Sequence, residues 1–313
     1  MKVIKEYSKI DSDYGHAIAL GNFDGIHIGH QELIKTLVKK SNSKKLRSCI
    51  YTFENHTKLI AKDSQPIKYI MDQEMKHKIF GNYGIDILYL DRFDRKLMEK
   101  GPREFVEDIL IRVFNCKEIV VGFDYRFGYG AAGDIALLKE LGKELGFAVN
   151  VVEAVKVNNK KVSSSLIRKY LLEGKIEKAN NLLGRCFSLQ GKVISGNARG
   201  RKLGYPTANL GLNQIQLLPK SGVYITRVII NDKAYMGCTS IGKKPTFGIY
   251  ETSVETFILD YSMNLYNKWI EIHFIKKLRD EIKFESAQGL IQQIQQDVQK
   301  TKHYLQTKVN MLE

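Results

Sequence analysis

Two histidines, His27 and His30, stand in the segment GNFDGIHIGH, residues 21–30, with Gly29 between them. The segment follows an apolar run and precedes a helical pattern, which predicts a junction between a strand and a helix. Backbone N–H groups and the helix dipole favour an anion at such a junction. Both histidines can face phosphate oxygens there, and a glycine lets the backbone approach them closely. The pattern predicts in-line attack on a nucleotide α-phosphate, stabilised by fixed donors. The alternative is two histidines in a surface turn.

Two further groups of residues are expected to contact the nucleotide. The first belongs to the same segment and comprises Gly21, Asn22, Phe23 and Asp24. The second begins a predicted helix, where the hydroxyl groups of Ser163, Ser164 and Ser165 and the charge of Arg168 can hold a β- or γ-phosphate. The alternative for the serines is a plain helix N-cap.

A third segment, VGFDYRFGYGAAGD at 121–134, follows the fourth predicted strand. Its aromatic side chains, Phe127 among them, can stack on a planar ring, and Asp124 can orient a ligand hydroxyl or amide. The alternative is a loop that packs on its own aromatic residues.

The second half of the chain has different phosphate chemistry. It lacks GxxxxGK[ST], so it is not a P-loop kinase. Instead, SGNARGRKLG at 195–204 offers glycines and basic residues that can wrap nucleotide phosphates. They are Gly196, Arg199, Arg201, Lys202 and Gly204.

The run PTAN follows, from Pro206 to Asn209. Thr207 and Asn209 share one face of an extended chain and present oxygen atoms, which suit Mg²⁺ together with phosphates. The alternative is a β-turn with a satisfied asparagine.

The elements that must position these residues differ between the halves. Strand and helix patterns alternate up to about residue 155, which predicts five strands in a parallel sheet with helices on both faces. Loops after the strands then meet at one edge, where ligands bind. After Gly184, short β-rich runs predict an antiparallel barrel, closed by an amphipathic helix at 285–309. Residues 175–184 are expected to form a helical linker. We expect domains at 1–183 and 184–313.

Composition narrows the class of protein. A 313-residue chain with 43% hydrophobic and 27% charged residues is typical of two globular domains, and its apolar runs are too short to span a membrane. We expect a cytoplasmic protein. Four dispersed cysteines predict reduced thiols rather than a disulfide framework or a zinc site. The net charge of +15 reflects scattered lysines, so we expect no specific nucleic-acid partner. The sequence is compatible with self-association of the protein.

These motifs together resemble a known family. GNFDGIHIGH, GFDYRFG and VSSSLIR resemble the FAD synthetase module of bacterial bifunctional riboflavin kinase/FMN adenylyltransferases, and GRKLGYPTANL with VETFILD resembles their riboflavin kinase module. The resemblance implies a Rossmann-like nucleotidylyltransferase domain and a β-barrel kinase domain. It implies ATP, riboflavin, FMN and FAD as substrates or products, with Mg²⁺.

The resemblance also assigns roles. It implies that Thr207 and Asn209 hold the metal, that Glu255 is the base for the riboflavin hydroxyl, and that Arg279 lies near the flavin. His27 and His30 would stabilise the adenylyl transition state. The chain departs from the family at TFENHTK, where two prolines are absent and His56 is kept, and at Ser240 and Phe257.

Other readings stay open on the motifs alone. HxGH also occurs in nucleotidylyltransferases that act on pantetheine phosphate, nicotinamide mononucleotide or a phospho-alcohol. A flavin-sensing or RNA-binding regulator would lack turnover. In a third case one module has decayed, and the TFENHTK departure makes this the N-terminal one.

Overall fold

A computed structural model of the protein describes residues 1–5, 10, 14–54, 68–196, 200, 203–213, 215–246 and 249–309. The chain forms two compact units, Met1–Ser164 and Ser165–Glu313. No helix among the described residues has both the length and the apolar character needed to cross a membrane. The four cysteines are free thiols, with Cys49 and Cys116 buried and Cys186 and Cys238 partly exposed.

The first unit is built on a parallel six-stranded sheet, as the alternating pattern predicts. The strands are β1 Lys2–Lys5, β2 His16–Leu20, β3 Arg47–Phe53, β4 Ile87–Asp91, β5 Cys116–Gly122 and β6 Ala148–Val152. Their order in the sheet is β1-β4-β3-β2-β5-β6, and every pair is parallel. The sequence predicted five of them. It missed β1, a four-residue edge strand in which only Ile4 is buried, so it carries almost no apolar pattern.

Helices and short segments connect these strands. They are α1 Ile28–Lys44, α2 Gln73–Asn82, α3 Arg95–Met98, α4 Pro102–Phe105, which continues as a π-helical segment Val106–Ile111, a 3₁₀ turn Tyr129–Ala131, α5 Ile135–Leu145, and the hairpin strands β7 Lys156–Val157 and β8 Lys160–Lys161. Helices α6 Ser164–Leu172 and α7 Ile176–Leu183 follow.

Strand β2 explains where the first site lies. All five residues of HAIAL are buried, because the side chains alternate between two cores: Ile18 and Leu20 pack on one face of the sheet, Ala17 and Ala19 on the other. The chain leaves β2 toward β3 on one side and later returns to pair β5 on the other. The carboxyl ends of β2 and β5 therefore border the crevice at which open α/β sheets bind ligands.

The second unit contains the antiparallel barrel that the sequence predicts. Its strands are β9 Phe187–Ile194, β10 Thr207–Leu210, β11 Gly222–Ile230, β12 Lys233–Thr246, β13 Ile249–Ile258 and β14 Trp269–Arg279. They close in the order β10-β13-β12-β11-β14-β9, each pair antiparallel. A long helix, α8 Ala287–Val309, follows.

Helix α7 is part of the second unit rather than a linker. Its residues Ile176, Ala179, Leu182 and Leu183 are buried. The Asn180 side chain accepts a hydrogen bond from the Phe187 N–H at 2.7 Å and donates one to the Phe274 carbonyl at 2.8 Å. The apolar stripe of this helix therefore covers β9 and β14, which a charged-looking segment such as KIEKANNLLG does not reveal.

Candidate functional site

The turn between β2 and α1 adopts an unusual backbone conformation. Phe23, Gly25 and Ile26 have φ angles of 48°, 81° and 38°, in the left-handed region. For a β-branched residue such as Ile26 this is strained, at a cost of about 1–3 kcal/mol. Phe23 and Ile26 are fully buried, so packing compensates for the strain. The turn is therefore held in shape by its surroundings.

Hydrogen bonds from three other segments fix the carbonyl and carboxyl groups of this turn. The Asn22 carbonyl accepts from Thr52 Oγ1 at 3.3 Å. The buried Asp24 carboxylate accepts from the Ile70 N–H at 3.1 Å, and the Asp24 carbonyl accepts from Ser164 Oγ at 2.8 Å. Asp24 therefore ties the turn to the segments beside it.

His27 and His30 meet face to face at the start of α1. His27 is the N-cap, and its Nδ1 accepts from the His30 N–H at 3.2 Å. The rings stack with centroids 3.7 Å apart and planes 15° apart. Because Nδ1 of His27 accepts, a neutral His27 ring carries its proton on Nε2 and can donate it to a ligand. A Cβ on Gly29 would lie 3.2 Å from His27 Nδ1, so a glycine at position 29 leaves room for the imidazole ring of His27.

The surroundings of the His30 ring shift its pKa. Its Nδ1 is buried and has no hydrogen-bond partner within the described part of the chain. Burial, with the charges of His27 and Lys76, holds the pKa of His30 well below its ordinary value. His30 is therefore a neutral ring at physiological pH, with a ring nitrogen that a ligand can engage.

Sequence reasoning missed Lys76 on α2. This lysine is 2% exposed, and its Nζ donates to the Asn22 carbonyl at 3.4 Å. A signal was available, because Ile79, Phe80 and Tyr83 lie three, four and seven residues further on and mark the apolar face of the helix. Because Lys76 lies on that apolar face, the sequence pattern predicts that its side chain is buried.

The serine motif lies at the start of α6. Ser163 and Ser164 belong to the first unit, while Ser165 and Arg168 lie in the first turns of the helix that opens the second. Ser164 donates to the Asp24 carbonyl, which joins this motif to the histidine turn. The phosphate contacts of Ser163, Ser165 and Arg168 remain predictions.

The loop after β5 presents charged side chains to solvent and buries the Phe127 ring. Asp124 accepts from Lys161 Nζ at 2.7 Å, and the same ammonium lies 3.8 Å from the centroid of the Phe123 ring. Phe127 is 6% exposed and packs on Phe105 and on Tyr125, with ring centroids 6.0 and 5.8 Å apart. The Phe127 ring supports the loop from the core, and flavin contacts of Asp124 and Phe127 stay predictions. His56 lies outside the described residues.

In the second unit, a cleft of about 430 Å³ opens between the barrel and α8. Residues of the predicted kinase site line it together with the apolar face of α8. The lining includes Tyr205, Thr207, Cys238, Ser240, Ser253, Glu255, Phe257, Arg279, Leu290, Ile294, Asp297 and Val298. Two of the three departures from the family pattern, Ser240 and Phe257, are thus cleft residues.

Thr207 and Glu255 meet at the wall of this cleft. The Thr207 hydroxyl donates to Glu255 Oε2 at 3.2 Å, and Asn209 is the register partner of Glu255 between β10 and β13. Ser253 Oγ reaches Glu255 Oε1 at 3.5 Å. A hydroxyl, an amide and a carboxylate therefore share one small area, and these oxygen donors fit a hard cation such as Mg²⁺.

The glycine-rich segment before β10 approaches the same area. A Cβ on Gly196 would lie 2.5 Å from the Asn209 amide nitrogen, so a larger residue would displace that side chain. Gly204 has φ of 82°, which glycine adopts without strain, and Pro206 precedes β10. Arg199, Arg201 and Lys202 lie outside the described residues.

Arg279 lines the cleft, and it is bound to α8. Its guanidinium donates to Asp297 Oδ2 from Nη2 at 2.8 Å and from Nε at 3.0 Å. The Asp297 side chain is 3% exposed and that of Arg279 is 17% exposed. Asp297 went unnoticed in the sequence because a single acid in a glutamine-rich helix looks like a solvent-facing residue.

Fold and geometry define a two-unit transferase class: a Rossmann-like unit with a phosphate-binding turn, and a closed barrel with an oxygen-donor cleft. The FAD synthetase family model matches residues 9–166, and the riboflavin kinase family model matches residues 183–305.

Similar proteins agree with both matches. The bifunctional riboflavin kinase/FMN adenylyltransferase of Listeria monocytogenes is 35% identical over 94% of this chain and 93% of its own. That of Buchnera aphidicola subsp. Schizaphis graminum is 36% identical over 97% and 99%. A crystal structure described as a macrolide-efflux protein from Streptococcus pneumoniae has a TM-score of 0.87 and 32% identity, covering 96% of this chain and 98% of that one. The chain belongs to the family of bifunctional riboflavin kinase/FMN adenylyltransferases.

Proposed function

We propose that the two activities of the family are divided between two domains, with FMN adenylyltransferase in residues 1–183 and riboflavin kinase in residues 184–313. The observation that carries this division is that each proposed domain contains a separate candidate site. One is the stacked pair His27 and His30, and the other is the Thr207–Glu255 hydrogen bond in the barrel cleft.

In the second unit, Glu255 accepts the proton of the riboflavin 5′-hydroxyl. The hydroxyl oxygen then forms a bond to the γ-phosphorus of ATP, and the bond to the β,γ-bridging oxygen breaks to release ADP. The Thr207 hydroxyl holds one oxygen of the Glu255 carboxylate. That hydrogen bond orients the carboxylate that acts as the base.

Thr207 and Asn209 are the residues proposed to hold Mg²⁺. When bound, the metal neutralises charge on the transferred phosphates. Gly196 leaves room for the side chain of Asn209, a residue of β10. Arg199 and Lys202 are proposed to contact the nucleotide phosphates, with Gly204 and Pro206 shaping the backbone, and Arg279 to contact the flavin.

In the first unit, an oxygen of the FMN phosphate attacks the α-phosphorus of ATP, and the bond to pyrophosphate breaks. No proton has to be removed from the attacking phosphate dianion, so catalysis rests on fixed donors. His27 donates from Nε2, which its N-cap hydrogen bond leaves protonated. His30 contributes a buried ring nitrogen, and the phosphate contacts are assigned to other residues of the domain 1–183: residues 21–24, Gly29, Ser163, Ser164, Ser165 and Arg168. Asp124 and Phe127 are proposed to contact the flavin.

A product assay tests the proposal. Purified protein given riboflavin, ATP and Mg²⁺ should form FMN and then FAD, separated by chromatography. His30→Ala should stop FAD formation while FMN accumulates, and Glu255→Ala should stop FMN formation while added FMN still becomes FAD. Loss of both steps in either folded variant would overturn the division between units.

A further inference from the structure

The buried lysine of α2 is not used by the mechanism above. A lysine that is 2% exposed gives up its hydration, which few proteins tolerate without a partner or a role. Burial lowers the pKa of Lys76, and the Asp24 carboxylate acts in the opposite direction, favouring the protonated form. The ammonium therefore binds the Asn22 carbonyl and lies within electrostatic reach of an acid of the same turn.

Lys76 is not needed merely to satisfy that carbonyl. Thr52 Oγ1 already donates to Asn22 O at 3.3 Å, in addition to the contact of Lys76 Nζ at 3.4 Å. What the lysine adds is charge: its field is one of the causes that shift His30. In a low-dielectric interior a fixed charge acts over a longer range than it would in water.

We propose that Lys76 is a positioning residue for adenylyl transfer, whose buried ammonium fixes the strained turn at Asn22 and supports phosphate charge from behind the turn. It touches no reacting atom in this assignment and acts through Asn22 and His30. The inference rests on the proposed function of the first unit.

The geometry of the turn explains why such support matters. Phe23 and Ile26 are held at φ angles of 48° and 38°, so the turn would relax if its anchors loosened. A polyphosphate at this turn gains charge during transfer, and a preformed positive field stabilises it without reorganisation. Loss of the charge should therefore reduce the rate of the chemical step more than the affinity for FMN.

The test compares three variants of the full chain: Lys76→Met, which keeps length but not charge, Lys76→Arg, which restores charge, and Thr52→Val, which removes the other bond to Asn22. FAD formation from FMN and ATP is measured for kcat and KM, and FMN formation from riboflavin in the same preparations reports on the intact second unit. Thermal unfolding of each variant checks that the first unit is still folded.

Lys76→Met should lower kcat for FAD formation about a hundredfold with KM for FMN changed by no more than about threefold. Thr52→Val, which loosens the turn but leaves its charge in place, should lower kcat by no more than about tenfold, and Lys76→Arg should recover about tenfold over Lys76→Met. Equal losses in Lys76→Met and Thr52→Val, or no recovery in Lys76→Arg, would overturn the role of the charge. Absence of FAD formation in the wild type would instead overturn the proposed function, which keeps the two failures separate.

Discussion

The Thr207 hydroxyl donates a hydrogen bond to Glu255 Oε2 across 3.2 Å, joining the first residue of β10 to the middle of β13. The two residues are 48 positions apart in the chain, and the closed barrel brings them together. One side chain is a proposed metal ligand and the other the proposed base. Their contact ties the orientation of the carboxylate to the position of β10.

The first prediction concerns this contact. Thr207→Val keeps the shape of the side chain and removes the hydroxyl, so the Glu255 carboxylate loses a donor and the proposed metal site loses an oxygen. A hydrogen bond to a charged group is worth enough to reduce kcat for FMN formation by about tenfold or more. Thr207→Ser, which keeps the hydroxyl, is the control and should retain most of the activity. Equal activity of the Val and Ser variants in an FMN assay would contradict the assigned role.

The second prediction concerns Gly196. A Cβ at this position would stand 2.5 Å from the Asn209 amide nitrogen, so Gly196→Ala should displace Asn209 from the site. A misplacement of this size typically costs about a hundredfold in rate. Steady-state riboflavin kinase assays measure the effect, and FAD formation from added FMN should be unchanged.

Gly289→Ala is the matched control, because its Cβ meets Ser286 Oγ at 3.4 Å, an ordinary contact. If Gly196→Ala were as active as Gly289→Ala, the close approach would have no functional consequence.

The third prediction concerns the Arg279–Asp297 ion pair between β14 and α8. Asp297→Ala should lower the free energy of unfolding of the second unit by about 3 kcal/mol, because it leaves a largely buried guanidinium without its carboxylate. Trp269, the single tryptophan, lies in β14, so its fluorescence during denaturation reports on this unit.

Asp280→Ala provides the comparison for that prediction. Asp280 is 65% exposed and pairs with Lys220 at 3.0 Å and with Lys277, and because solvent screens this carboxylate, its removal should cost no more than about 1 kcal/mol. Similar unfolding midpoints for the two variants would show that burial adds nothing to the Arg279–Asp297 pair.

The fourth prediction concerns pH. The pKa of His30 lies well below its ordinary value because the ring is buried and faces His27 and Lys76. The unfolded chain therefore binds a proton near pH ~6.5 that the folded chain does not, and stability falls as the pH drops below that value. Native-state hydrogen exchange of the β2 and β3 amides should show this loss, and His30→Gln should reduce it.

His77 affects the same measurement. Burial also lowers its pKa, with Lys76 and Lys5 contributing in the same direction, so some pH dependence should persist in His30→Gln. An unchanged pH dependence in that variant would contradict the assignment to His30.

The sequence by itself determined the fold class and the location of the candidate sites. Strand and helix periodicity is local, so β2, α1, β11 and the closing helix could be read from neighbouring residues. The motif GNFDGIHIGH could likewise be placed at a strand end, because a turn and an N-cap depend on a few adjacent residues.

The tertiary structure decided which distant residues share a site. Lys76 reaches Asn22 across 54 positions, and Arg279 reaches Asp297 across 18. The edge strand β1 forms through pairing with β4, although its own pattern is weak. Burial of a charge and pairing of an edge strand depend on what the rest of the chain brings beside them. No local pattern contains that information, so these features appear only when the chain is folded.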